Sequence, residues 1–342
     1  MTVTDVPVCT QVKMPAKNRK LFKSVIDLGN HWIKAYIDGY DFVREPSWFS
    51  RCLFNTSEKL PGHVRYISGI REEDLKDNCW LVGNQAVRAG SSDLMRLVED
   101  YSGKSTLWLE YFLGTLAHLP QINSQMELEV TATCNDVKRH EETIRRNEGV
   151  HIVELRGIPC TITIKIKSVL PEGIAALKSQ QLDGAVTICD IGGGNTSTTR
   201  FYNSELVGEP TVKDFGAEYL IDHIAANSDL KSLIKQPPSK VVINHSLEVG
   251  IQGTKKKPVL NYGDSDLNFY SVYQFELTDF ITCRLREIVK QLEQYKLAGD
   301  KILVIGGGSK LPLLSAALEK KGFLISANGA FDNLVGLVGE VA

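Results

Sequence analysis

Two short stretches, "DLGN" at Asp27–Asn30 and "DIGGGN" at Asp190–Asn195, each end an apolar run in a carboxylate and follow it with glycine. Glycine admits φ > 0 and lets backbone N–H groups come close to a ligand. Two such turns facing each other across a cleft suit a polyphosphate. The N–H groups of Gly29 and Asn30 on one side, and of Gly192, Gly193, Gly194 and Asn195 on the other, then donate to its oxygens. Asp27 and Asp190 stand where they can hold the waters of a Mg²⁺ ion, which keeps much of its hydration shell. Lys34 can reach a phosphate as a point charge. Each turn alone also reads as a tight β-hairpin; the pair is the stronger signal.

A third glycine turn, Gly306–Gly307–Gly308–Ser309 in "VIGGGSKLP", follows a buried strand and opens a helix. Its glycines can let an adenosine or ribose lie flat on the backbone, and a helix N-terminus attracts phosphate. A dinucleotide fingerprint does not fit, because Leu311 stands where its last glycine belongs. "SGKST" at 102–106 looks like the end of a P-loop, but Val98 occupies the position of the required first glycine. The seven histidines show no metal-ligand spacing and read as ordinary structural or surface residues.

The elements that must carry these turns recur in two sets. "FKSVIDLGNHWIKAYI" reads as two strands around Gly29-Asn30, and the strands flanking Gly192 as a second hairpin. "MELEVTATC" and "GIPCTITIKIKSVL" read as strands, and residues 55–78 as irregular. Helices are expected over 103–118, over 135–149 with Asn135 as N-cap, and from Pro171 in "PEGIAALKSQQL". "GAEYLIDHIAANS" and the amphipathic "YQFELTDFITCRLREIVKQLEQY" add two more, and "FDNLVGLVGEVA" a last short one. The fold class is α/β: two similar α/β domains flanking a cleft, with the boundary near Gly184. The domains run over 22–184, with a small insertion at about 46–80, and over 185–330, with one at about 222–275. Residues 1–21 form a flexible tail and 331–342 a helix returning to the first domain.

The chain has 342 residues, 39 Lys plus Arg against 41 Asp plus Glu, and 43% hydrophobic residues. That balance argues against a basic surface that grips nucleic acid by itself. Seven scattered cysteines without a C-x-x-C pair read as reduced thiols of a cytoplasmic protein rather than a disulfide framework. No apolar run approaches a membrane span, and the N-terminal stretch has no signal-peptide core or membrane anchor.

"IDLGNHWIKAYI", "PEGIAAL", "DIGGGNTSTTRF", "FGAEYLIDHI" and "VIGGGSKLP" follow the order of the five signature segments of the actin/Hsp70/sugar-kinase superfamily. Nearly the whole chain beyond the tail resembles that superfamily. "REPSWFS", "WLVGNQAVRAG" and "FDNLVGLVGEVA" most resemble the bacterial actin-like ParM/StbA plasmid-segregation proteins and their cyanobacterial relatives. The resemblance implies the actin-like (ribonuclease H-like) fold, with ATP or GTP and Mg²⁺ in the cleft. It places Asp27, Gly29, Asn30 and Lys34 in the first phosphate loop, and Asp190 with Gly192–Gly194 in the second. Gly216, Ala217 and Glu218 fall on the ribose side, Gly306–Ser309 in the adenosine motif, and the base contacts in "SKVVINHSLEVG". Glu172 matches the glutamate that orients or deprotonates the attacking water. Ser197 stands where many relatives carry a second acidic residue, and Ala217 replaces one glycine of a common pair.

The implied activity is an ATPase that assembles head-to-tail into filaments and moves DNA through a separate DNA-binding adaptor. A filament scaffold for cell shape and a sugar-kinase-type phosphotransferase are the alternatives, since fold alone does not settle function.

Overall fold

The computed structural model describes residues 21–52, 59–89, 93–96 and 103–341. The expected N-terminal tail lies outside the described residues, except for Leu21, which opens the first strand. The first half holds β1 (Leu21–Leu28), β2 (Trp32–Ile37), β3 (Val43–Pro46), β4 (Trp48–Arg51), β5 (His63–Gly69), β6 (Cys79–Val82), β7 (Met95–Arg96), β8 (Gln125–Cys134), β9 (Gly149–Leu155) and β10 (Ile158–Pro171). They make one sheet in the order β3-β2-β1-β8-β10-β9-β5-β6-β4-β7. The second half holds β11 (Ala185–Ile191), β12 (Thr196–Tyr202), β13 (Glu205–Lys213), β16 (Lys301–Ile305) and β17 (Leu324–Ile325) in the order β13-β12-β11-β16-β17. A separate hairpin joins β14 (Gln252–Thr254) to β15 (Lys257–Val259) and carries the lysine-rich turn.

Six helices belong to the first half: α1 (Glu72–Leu75), α2 (Asn84–Arg88), α3 (Gly103–Thr106), α4 (Trp108–Leu116), α5 (Val137–Arg145) and α6 (Ile174–Gln180). The second half has α7 (Ala217–Ala226), α8 (Ser228–Ile234), α9 (Lys240–Val249), α10 (Tyr270–Asp279), α11 (Arg286–Leu297) and α12 (Leu314–Glu319), and α13 (Asp332–Val341) closes the described chain.

The two halves repeat one motif. β1 pairs antiparallel with β2 and parallel with β8; β11 pairs antiparallel with β12 and parallel with β16. Asp27 and Asp190 therefore sit at matching strand ends, opposite Lys34 and Ser197 respectively. Each half has its own apolar core. Between the cores lies α6, which turns Ile174, Ala176 and Leu177 toward Ile188, Leu303 and Ile305 of the second sheet. Ala175, on its other face, packs with Val25, Leu334 and Leu337. The helix pair α6–α13 thus joins the halves, and Gly336 makes the close approach possible, since a Cβ there would strike the Ala175 carbonyl.

Several elements differ from the sequence expectation. Residues 63–69 form β5 rather than irregular chain, because His63, Val64 and Tyr66 enter the core. β9 and β13 carry no expectation at all. The helix over 103–118 is two, α3 and α4, separated at Leu107. Asp136, not Asn135, caps α5, accepting from Arg139 N at 3.1 Å. Pro171 ends β10 instead of opening a helix, and α6 starts at Ile174 after Gly173 turns the chain at φ +94°. The long helix over 270–297 contains a π-turn at Phe280–Arg284, where Leu285 N donates to Phe280 O.

Candidate functional site

The carboxyl ends of β1, β10, β11 and β16 open on one cleft between the halves, the place where α/β sheets bind ligands. The cavity measures about 390 Å³. Both phosphate-loop candidates line it, through Asp27, Gly29, Asn30 and Lys34 on one wall and Asp190, Gly192, Gly193 and Asn195 on the other. Glu172, Ala217, Glu218, Gly306, Gly307 and Gly308 line it too.

The remaining candidates stand behind the lining. Gly194 completes the β11–β12 turn. Gly216 packs beneath it, since a Cβ there would strike the carbonyls of Gly192 and Gly193. Ser309 is fully buried and donates to Gly306 O at 2.7 Å, holding the third glycine turn.

Two of the expected phosphate donors are spent within their own hairpins: Gly29 N donates to Trp32 O at 3.0 Å and Gly192 N to Asn195 O at 2.9 Å. The carbonyls of Gly192 and Gly193 accept from Ala217 N and Glu218 N, so the second loop is bolted to the start of α7. Lys34 Nζ donates to Asp27 Oδ2 at 2.5 Å and to Ala330 O at 2.8 Å, so its charge already has a partner. Thr133 Oγ1 donates to the other Asp27 oxygen at 3.3 Å.

Asp190 has a different environment. Asn333 Nδ2 donates to its Oδ2 at 3.2 Å. Burial, with repulsion from Glu172 and Asp27 opposing the help of Lys34 and Asn333, pushes its carboxyl up to about 7. Three carboxylates crowd one cleft floor, and a divalent cation carrying part of its water shell would relieve that crowding, so the donor chemistry fits Mg²⁺. Among the described residues no three His, Cys, Asp or Glu side chains form a direct metal-binding group.

A second cluster closes the cleft from above. Glu218, at the start of α7 in the second half, accepts from Arg96 Nη2 of β7. His31 Nδ1, from the β1–β2 turn, lies 2.6 Å from the same Glu218 oxygen. Burial works against the Glu218 charge, but the hydrogen bonds from His31 and Arg96 outweigh it and hold the carboxyl down at about 2. Gly193 has to be small beneath this cluster, because a Cβ would strike the His31 side chain. Further out, Arg44 lies over the Trp32 ring at 3.9 Å and 3.6 Å from Glu248 of α9.

Sequence reasoning missed His31, Arg96, Arg44, Asp332 and Asn333. His31 reads as ordinary without its partners, and no motif surrounds Arg96. Asp332 and Asn333 open the last helix, where a capping role is the usual reading of such residues. The segment searched for base contacts does reach the site, through Asn244, Leu247 and Glu248.

No family model matches the chain, and no curated protein matches it. Solved structures do, and they define the class: this is an actin-like fold. ParM of Bacillus thuringiensis with ATP aligns at TM-score 0.72 and 18% identity, over 94% of this chain and 98% of that one. The same ParM in apo form aligns at 0.58, with 18% identity over 94% and 97%. The archaeal actin homologue Ta0583 aligns at 0.67 and 15% identity, over 94% and 98%. Among the described residues no helix is long and apolar enough to cross a membrane.

Proposed function

We propose that this chain is an actin-like ATPase that assembles into filaments on binding ATP and hydrolyses it, serving DNA segregation through an adaptor protein. The observation that carries the reading is the cleft itself: two matching Asp-Gly hairpins, Glu172 between them, and a third glycine turn on the same cavity. Support for the nucleotide comes from ParM of Bacillus thuringiensis, solved with ATP, with AMPPNP and with ADP. GTP fits the same phosphate sites.

In this reading the β- and γ-phosphates lie between the hairpins, where their oxygens accept from the N–H groups of the lining residues Asn30 and Gly193. Asp190, assisted by Asp27, would hold a hydrated Mg²⁺, whose charge would offset that of the phosphate oxygens. Glu172 sits beyond the strand end with its backbone pinned, Glu172 N donating to Cys134 O at 2.9 Å. Its carboxylate orients a water and takes its proton as the water oxygen bonds to the γ-phosphorus and the bond to the bridging oxygen breaks. The third glycine turn and α9 receive the nucleoside. A head-to-tail contact that does not close gives the filament. A location in the cytoplasm follows from this role.

Light scattering after addition of ATP and Mg²⁺, with phosphate release followed in the same sample, tests the proposal. A rise that decays as phosphate appears supports a dynamic filament. A persistent rise favours a shape scaffold, and no rise at any concentration removes the filament reading. Glu172→Ala should assemble normally and release phosphate at least tenfold more slowly; wild-type release takes Glu172 out of its role.

A further inference from the structure

α13 does more than return the chain to the first half. Its second residue, Asn333, is 6% exposed and makes two directed hydrogen bonds. Oδ1 accepts from Gly173 N at 2.8 Å, and Nδ2 donates to Asp190 Oδ2 at 3.2 Å. Only one orientation of the amide serves both, because an N–H needs an acceptor and a carboxylate needs a donor. The side chain therefore ties the residue next to Glu172 to the carboxylate at the end of β11.

Every part of this strut is held. Gly173 turns at φ +94°, and a Cβ there would press on Ile188, which lies on the same strand as Asp190. The backbone of Glu172 is anchored on its other side to the end of β8 through Cys134 O. α13 is seated by buried Leu334 and Leu337 and by the contact of Gly336 with the Ala175 carbonyl. Asp332, beside Asn333, is 1% exposed; it accepts from Ser326 and, at 3.4 Å, from Gly306 N of the third glycine turn.

We propose that Asn333 is a positioning residue that locks the Glu172 turn against Asp190, so that the water-activating and the cation-holding carboxylates keep one separation. The proposal rests on the role given to Glu172 above. A misplacement of the order of 1 Å in such a pair costs roughly 10²-fold in rate, while binding energy elsewhere in the cleft is unaffected. Turnover should therefore fall without a matching fall in nucleotide affinity.

Two variants of the full chain separate the bonds. Asn333→Ala removes both. Asn333→Asp keeps an acceptor for Gly173 N, loses the donor to Asp190 and adds a negative charge facing it. The readouts are amide hydrogen exchange over 171–177 in the nucleotide-free protein, affinity for a fluorescent ATP analogue with Mg²⁺, and kcat for phosphate release. Asn333→Ala should speed exchange over 171–177 at least tenfold and lower kcat by 10- to 100-fold, with analogue affinity within threefold of wild type. Asn333→Asp should exchange like wild type and still lose turnover. Wild-type kcat in either folded variant overturns the proposal, as does a loss of kcat matched by an equal loss of affinity and melting temperature. If Asn333→Ala does not fold, Asn333→Ser, which shortens the side chain and adds no charge, takes its place. A wild-type protein that hydrolyses no nucleotide sinks the function instead, and the exchange comparison still reports on the strut.

Discussion

Glu218→Gln isolates the closure of the cleft. The substitution keeps the shape of the side chain and removes the charge that draws Arg96 and His31 of the first half onto α7 of the second. The drop of the Glu218 carboxyl from its ordinary 4.5 to about 2 measures how strongly the closed arrangement favours the ion. On the linkage scale that is roughly 3 kcal/mol. Glu218 and His31 are about a quarter exposed and Arg96 less, so solvent screening trims the figure to about 1–2 kcal/mol. Opening the cleft breaks these contacts, so the open fraction should rise about 5- to 30-fold in the variant. The sign with pH is fixed by the lowered value: the contribution is whole above about 4.5 and disappears as pH falls toward 2. Above that range the Glu218 charge itself no longer varies with pH.

Small-angle scattering and the release rate of a fluorescent nucleotide read this directly. The variant should show a larger radius of gyration without nucleotide and release the nucleotide about 5- to 30-fold faster, with melting temperature nearly unchanged. Identical release and scattering in the variant and wild type would falsify the latch.

Two further substitutions test the scaffold. Gly306→Ala places a Cβ at φ +83° against Asp190 Oδ1 and the Ile191 carbonyl, so it should cost about 2–3 kcal/mol of stability in thermal unfolding and abolish nucleotide binding by titration. Asp300, 3% exposed at its side chain, accepts from Thr187 at 2.6 Å and from Arg200 at 3.0 and 3.1 Å. Burial opposes its charge, but these bonds hold its carboxyl below the ordinary 3.8, so its contribution is present above that range and lost as pH falls through it. Asp300→Ala should lower stability by about 3 kcal/mol at pH 7, with the difference from wild type shrinking in acid.

The parts legible in the sequence were those whose chemistry is local. An apolar strand ending in Asp and glycine needs only its neighbours to specify a turn, and both hairpins and the third glycine turn are where that reading puts them. β5 and β9 were not legible, since each buries a histidine, His63 and His151, and β9 leaves the apolar Val150 and Ile152 exposed. Pro171 misled because proline suits both a helix start and a strand end, and Gly173 supplies the turn two residues later. The contacts that close the site join residues far apart in sequence, such as His31 with Glu218 and Asn333 with Gly173. No local pattern announces a pair whose only relation is that the fold brings it together.

One asymmetry between the two hairpins comes from the sheet register. The repeat places Asp27 opposite Lys34 and Asp190 opposite Ser197. Lys34 neutralises Asp27 with a buried ion pair, so that carboxylate is largely committed. Ser197 carries no charge, and Asp190 is left facing Glu172 and Asp27 with an amide as its direct hydrogen-bond partner. Of two carboxylates at matching strand ends, the first is paired with a cationic side chain, whereas burial and the neighbouring Glu172 push the second up to about 7, where a bound cation would favour its charged form. On the function proposed above, the duplicated hairpin would give the site a direction, one wall supplying a neutralised turn and the other the carboxylate that meets the cation. The substitution that tests this division is Ser197→Lys. It should pair with Asp190 as Lys34 does with Asp27 and weaken Mg²⁺-dependent nucleotide binding at least tenfold in titrations with and without the cation, while Mg²⁺-free binding holds or rises. Equal Mg²⁺ dependence in the variant and wild type would show that Asp190 is not where the cation is held.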